Sequence, residues 1–183
     1  MRTLLGQPAL WHVCGISVFL ALAAVQRRAR RSGILLLALW NLIGVVMHEL
    51  AHLLVGTVLR AGPAGFSLLP HREGRYWQLG SVSFARITPL NAVPVAFAPL
   101  GLGGVAYWCA RNWFDWNQPS LTATLVLYAV LYILLYHALP SRQDLRVACN
   151  WRSLVLYSLV AGVVCCYVWP ESAMLYPGRF RRP

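Results

Sequence analysis

Five apolar runs, separated by shorter polar or arginine-rich stretches, dominate the hydrophobic pattern of the chain. Each run is close to the length of about 20 residues that a helix needs to span a bilayer. The pattern therefore predicts an all-α polytopic membrane protein with five transmembrane helices. The predicted helices cover residues 9–25, 33–59, 89–109, 121–139 and 145–169.

The third apolar run is interrupted by residues that break helices. Pro94 and Pro99 lie inside it, together with glycines at positions 101, 103 and 104. Such breaks persist in a membrane only where neighbouring protein or water satisfies the freed backbone groups. We therefore expect a kinked or partly re-entrant segment that packs on other helices.

Residues 64–88 follow a different pattern. Turn-type residues in "HREG" separate two stretches that are rich in aromatic and β-branched side chains, and "SVSF" at 81–84 alternates polar and apolar positions. This pattern predicts a small β-hairpin or sheet against the membrane surface, with an irregular loop as the alternative. The proline- and arginine-rich tail, 170–183, is predicted to be frayed. We expect the whole chain, 1–183, to form a single integral membrane domain.

The composition supports a membrane protein and argues against a nucleic-acid partner. Hydrophobic residues make up 58% of the chain and charged residues only 11%, against about 25% charged residues in soluble domains. All 16 basic residues are arginine, and the net charge is +11. The arginines lie mainly between apolar runs, where they anchor a protein in the headgroup layer. They form no basic face with interleaved aromatic residues, so we predict no nucleic-acid binding.

The second apolar run contains three ionisable side chains: His48, Glu49 and His52. Each costs about 2 kcal/mol or more at the centre of a bilayer, which makes such residues candidates for function. Residues four apart share one helix face, so both imidazoles can hold one metal ion. Glu49, beside them, can take a proton from water. H-E-x-x-H on a helix is the signature of a zinc hydrolase, and a buried structural cluster is the alternative.

The third metal ligand must come from another part of the chain, because a catalytic zinc ion usually has three protein ligands. The stretch "HALPSRQD" at 137–144 contains two candidates. Asp144 is our first choice and His137 our second. The alternative for Asp144 is a pure capping role, since Ser141 lies three residues before it. The alternative for His137 is a histidine at a helix end that bonds to backbone or water.

The motifs "HELAH" at 48–52, "APLG" at 98–101 and "ALPSRQD" at 138–144 together resemble the site-2 protease family of intramembrane zinc metalloproteases. The chain differs from the family where His137 replaces an asparagine and where no glycine follows Asp144. The resemblance covers most of residues 33–150 in the order of its elements, although the motifs themselves cover about a dozen positions.

The resemblance implies a zinc metallopeptidase with Zn²⁺ held by His48, His52 and Asp144, and with Glu49 as the general base. Its substrate would be a membrane protein or peptide, bound by the 64–88 region as an added strand. It also implies a multi-pass protein of the bacterial cytoplasmic membrane, with the lipid bilayer as its surroundings. Two alternatives stay open: a metal-binding membrane protein without hydrolase activity, and a zinc hydrolase that acts on a lipid-like substrate.

Overall fold

The computed structural model of the chain describes residues 6–73 and 76–175. Most of these residues are helical, and a small β-region follows the second helix. The α-helices are α1 (Ala9–Ser32), α2 (Ile34–Val58), α3 (Pro89–Ala96), α4 (Gly101–Trp116), α5 (Leu121–His137), α6 (Arg142–Ala148) and α7 (Trp151–Leu175). The strands are β1 (Pro63–Ser67), β2 (His71–Glu73), β3 (Tyr76–Gln78) and β4 (Ser81–Phe84).

The first helix is longer than the predicted 9–25. It continues through "QRRARRS" to Ser32, because glutamine, arginine and alanine are good helix formers and no breaker occurs before Gly33. Gly33 then adopts a φ of 123°, which ends α1 and lets α2 start at the next residue. The apolar run ends at the first arginines, whereas the helical backbone hydrogen bonds continue to Ser32.

The third apolar run is broken, as predicted for 89–109. α3 starts at a capping box in which the Thr88 side chain accepts from the backbone of Asn91. It ends at Ala96, and a short 3₁₀ turn, Ala98–Leu100, leads into α4. Pro99 lies in this turn and has no N–H to donate to a carbonyl one turn earlier. The helix after the break extends beyond the predicted end, to Trp116.

The predicted helix 145–169 is two helices in the structure. A capping box of Ser141 and Asp144 starts α6 three residues earlier than predicted, and α6 bends by 47° from α5. The Asn150 side chain accepts from Arg152 N–H at the start of α7, which separates α7 from α6. Because α7 reaches Leu175, the predicted frayed tail 170–183 begins too early, and its residues 176–183 lie outside the described part of the chain.

Three helical segments are long and apolar enough to cross a membrane: α1, α2 and the broken helix Pro89–Trp116. The bent pair of α5 and α6 makes a fourth if it forms one span. The apolar part of α7 with described side chains, Trp151–Tyr167, is shorter than a span. The structure is thus compatible with an integral membrane protein, whereas the predicted count of five spans is not confirmed.

The region predicted at 64–88 contains two antiparallel strand pairs. β1 pairs with β4, with Phe66 opposite Val82, and β2 pairs with β3 farther along the same excursion of the chain. The prediction of a small β-structure is therefore confirmed, and the irregular loop is excluded. Gly56 of α2 lets this region pack closely on the helix, because a Cβ there would lie 2.2 Å from the ring of Phe84.

Close helix packing arranges the rest of the bundle. α1 packs along α5, where Gly15 leaves space for the Tyr128 ring. A small apolar cluster joins α4 to the end of α5 and includes Leu102 and Leu134, with Met47 of α2 packed against it. The carboxyl-terminal end of α5 is thereby held beside the middle of α2.

We predict that Gly15→Ala destabilises the bundle. The new Cβ would lie 2.3 Å from a carbon of the Tyr128 ring, so α1 and α5 would have to separate. The free energy of unfolding should fall by about 1–3 kcal/mol, measured as a lower melting temperature in detergent. Gly103→Ala is the matched control, since nothing lies within 4 Å of its added Cβ. Equal melting temperatures for the two variants would contradict close packing at Gly15.

Candidate metal centre

Three predicted ligand residues meet at one point between α2 and α6. His48 Nε2 lies 3.2 Å from His52 Nε2 and 3.3 Å from Asp144 Oδ2. His52 Nε2 lies 3.2 Å from Asp144 Oδ1. The two histidines occupy successive turns of α2, while Asp144 comes from the first turn of α6, 96 residues after His48. These residues form a group that could hold a metal ion.

The end of α5 fixes the orientation of His48. His48 Nδ1 donates to the main-chain carbonyl of His137 at 2.8 Å. That carbonyl is free because α5 ends at His137, and Pro140 prevents a further helical turn. The N–H of Ser141, one turn on, goes instead to the Asp144 carboxylate at 2.6 Å. A single loop thus supplies both a ligand and the carbonyl that orients another ligand.

The break after α3 fixes the orientation of His52 in the same way. His52 Nδ1 donates to the carbonyl of Val95 at 2.7 Å. In an unbroken helix this carbonyl would accept from the residue four positions later, but that residue is Pro99, which has no N–H. The proline that kinks the third apolar run therefore frees the acceptor for His52.

These two hydrogen bonds determine the protonation of the rings. A carbonyl only accepts, so Nδ1 of each histidine carries the proton, and in the neutral ring Nε2 presents a lone pair. The lone pairs of His48 and His52 then face each other and the Asp144 carboxylate, without a hydrogen to share. Such an arrangement of acceptors is unfavourable unless a cation lies between them, either a metal ion or a proton carried by one of the rings.

The spacing and the donor set fit a small transition-metal ion. Ligand atoms about 2.0–2.1 Å from a tetrahedral ion lie about 3.3–3.4 Å from one another. The two Nε2 atoms lie 3.2 Å apart, and with one oxygen of Asp144 the three candidate ligand atoms lie within 4.8 Å of one another. Calcium and magnesium take oxygen ligands, whereas imidazole nitrogen suits zinc and its neighbours. The donation of each Nδ1 to a carbonyl is also the usual support of metal-binding histidines.

Asp144 makes the cap that the sequence presented as one alternative, and it also belongs to the group that could hold a metal ion. Its Oδ2 accepts from the Ser141 N–H, and the Ser141 hydroxyl accepts from the Asp144 N–H, which completes a capping box. Both carboxylate oxygens nevertheless face histidine nitrogens. The cap holds the carboxylate in position, and its remaining lone pairs point to the centre of the group.

Glu49 is buried beside this group without being one of its members. Its side chain lies near the backbone of Val82 in β4. Gly80 permits this approach, because a Cβ there would lie 3.0 Å from Glu49 Cγ and 2.7 Å from Val45. The residue that the sequence singled out as a base is thus held against the β-region.

The His137 ring, our second choice for the third ligand, lies outside the group. Its Nδ1 donates to the Ile133 carbonyl at 2.9 Å, as in a histidine at a helix end. The ring fills the space above Gly44, where a Cβ would lie 2.1 Å from it. Its backbone carbonyl, rather than its side chain, contacts His48. The supporting carbonyls of His137 and Val95 were not predicted, although Pro140 and Pro99 signalled that both were available.

A cleft of about 950 Å³ opens beside the group. Its lining includes His48, His52 and Asp144 and also residues 77–84, with all of β4. A hydrogen bond from Gln78 to Gln143 links the β-region to α6 across the cleft. The group is therefore accessible from a space that the β-region covers.

The chain has no counterpart among the proteins with which we compared it. No known protein family, no curated protein and no solved structure matches it. The interpretation of the centre therefore depends on its own geometry.

We predict that Asp144→Asn abolishes metal binding while the cap is kept. Asparagine retains an oxygen that can accept from the Ser141 N–H, but it lacks the charge that a cation requires. Affinity should fall by about 100-fold or more, measured by competition with a chromophoric chelator and by elemental analysis of the purified protein.

Two matched variants separate the roles. Ser141→Ala removes the hydroxyl of the cap, so it should lower stability by about 0.5–2 kcal/mol and keep the metal. His137→Ala keeps the carbonyl that holds His48 and should also keep the metal. Metal loss in His137→Ala alone would make His137 the third ligand.

Proposed function

We propose that the protein is an intramembrane zinc metalloprotease similar to the site-2 proteases, which hydrolyses a peptide bond of a membrane-embedded substrate. The observation that carries this proposal is the convergence of two imidazole Nε2 atoms and a carboxylate, with Glu49 buried next to them. A ligand set of two histidines and one carboxylate leaves room for water and substrate, as catalytic zinc sites require.

Zinc, when bound, would act as a Lewis acid that lowers the pKa of water and polarises a peptide carbonyl. Glu49 then has the role of general base. It belongs to the same helix turn as His48, it is not a member of the ligand group, and it lines the cleft. Its side chain packs against Gly80, just before β4. Glu49 accepts the proton of the attacking water and transfers it to the leaving amine.

The β-region provides a surface for the substrate. One edge of β4 pairs with β1, and no strand pairs with its other edge among the described residues. Residues of β4 line the cleft together with Glu49, which supports the view that this strand lies beside the site. An unwound substrate segment could add to β4 as a strand through main-chain hydrogen bonds. Its peptide carbonyls would then pass close to the ligand group.

Two other functions remain as outcomes of the test. A protein that only binds metal would not need a buried carboxylate beside its ligands and outside the ligand group. A zinc hydrolase of a lipid-like substrate would not need an open strand edge along the cleft. Both features are present here, and they favour the protease.

We predict that Glu49→Gln keeps the metal and loses proteolysis. Glutamine has nearly the same size and shape, so the packing against Gly80 persists, but it cannot take a proton from water. Cleavage should slow by about 10²–10⁴-fold. A fluorogenic transmembrane peptide in liposomes measures the rate, and elemental analysis measures the metal in the same preparations.

Loss of metal in Glu49→Gln would remove the general-base role, because Glu49 would then belong to the ligand set. Full cleavage of the peptide by the variant would do the same. If the parent protein cleaves lipid esters and leaves peptides intact, the lipid hydrolase is correct. A metal-loaded parent that cleaves neither substrate class supports the metal-binding protein.

A further inference from the structure

Arg30 differs from the other arginines of the run "RRARR" at 27–31. All of these side chains are exposed, but among them only Arg30 lines the cleft. Its guanidinium donates to the Tyr136 hydroxyl and also lies over the Tyr136 ring, 5.8 Å from the centroid. An arginine that only anchors its helix in the headgroup layer would not need to line this cleft.

The side chain that anchors Arg30 is neutral. Gln26, which is buried, donates to the same Tyr136 hydroxyl at 3.0 Å and to Asn41 of α2 at 3.0 Å. Tyr136 directly precedes His137, whose carbonyl holds His48. Tyrosine takes one guanidinium N–H without neutralising the charge, and four of the five donors of Arg30 are left for another acceptor.

The cleft wall as a whole is positively charged. Arg30, Arg142 and Arg146 line it, and Glu49 and Asp144 are its carboxylates among the side chains that the structure describes. Asp144 faces two histidines, and Glu49 lies near the backbone of Val82. A divalent ion would offset these two carboxylates, and Arg30 and Arg146 would still contribute positive charge to the wall.

We propose that Arg30 is a specificity-determining residue that binds an acidic side chain of the substrate near the cleaved bond. This inference rests on the proposed protease function. The planar guanidinium suits a carboxylate, which it can bind through two parallel hydrogen bonds. Tyr136 holds the group in advance, so little side-chain entropy is lost on binding. The substrate class is thus a membrane-embedded peptide with aspartate or glutamate close to the scissile peptide bond.

The test uses two fluorogenic transmembrane peptides that differ only by glutamate or glutamine at one position, scanned over the residues around the cleaved bond. Neutral-lipid vesicles carry the full-length protein. At the best position the parent should prefer the glutamate peptide by about 10-fold or more in kcat/KM, the value of a charge-assisted hydrogen bond. Arg30→Gln should reduce this preference to within about 2-fold, while Arg28→Gln, on the same helix end but off the cleft wall, keeps it.

A binding measurement tests the same preference for an acidic peptide without requiring cleavage. Zinc-loaded Glu49→Gln protein should bind the labelled glutamate peptide more tightly than the glutamine peptide, and adding Arg30→Gln should remove the difference. A lysine-bearing peptide should bind more weakly than both, which tests the charge of the cleft without any substitution at Arg30.

The outcomes separate the two proposals. If the parent cleaves the glutamate and glutamine peptides equally well at every position, this inference is wrong and the protease function stands. If no peptide is cleaved and none binds, the protease function fails as well. An effect of Arg30→Gln that is equal for both peptides, and that appears only in vesicles of anionic lipid, would mean that Arg30 binds lipid phosphate, and it would overturn the inference.

Discussion

Two hydrogen bonds within the protein orient the histidines of the candidate metal centre: His48 Nδ1 and His52 Nδ1 each donate to a main-chain carbonyl. The Val95 carbonyl is available because Pro99 lacks the N–H that would bond to it in a helix. The His137 carbonyl is available because α5 ends there and Pro140 prevents a further turn. In a regular helix at either place, a backbone N–H would compete with the imidazole for the carbonyl. The positions of the ligand nitrogens thus depend on two backbone defects placed beside α2.

The members of the group that could hold a metal ion were largely predictable from local spacing. Helical periodicity alone places His48 and His52 on one face, so no long-range information is needed for that pair. Asp144 was one of two candidates from a single stretch, with ligation and capping as alternatives. The sequence could not show that a capping carboxylate also faces both histidines, because this depends on how α6 is oriented against α2.

Other features lay beyond the sequence pattern for physical reasons. Hydropathy detects which residues prefer lipid, but it does not detect where backbone hydrogen bonding stops. It therefore could not predict that α1 continues through its arginines or that α6 separates from α7. Contacts such as Arg30 with Tyr136 join residues more than a hundred positions apart. No local signal distinguishes Arg30 from its neighbours, since only the packing of α1 on α5 selects it.

The separation of the ligands along the chain has a consequence for assembly. An ion between His48 and Asp144 would connect two points 96 residues apart. A link of this kind removes many conformations from the unfolded chain, and its effect grows with the length of the loop it closes. The same ion would thus act as a reversible crosslink between α2 and the α5–α6 junction. Binding of one ion would then support both the chemistry of this centre and the stability of the helix bundle.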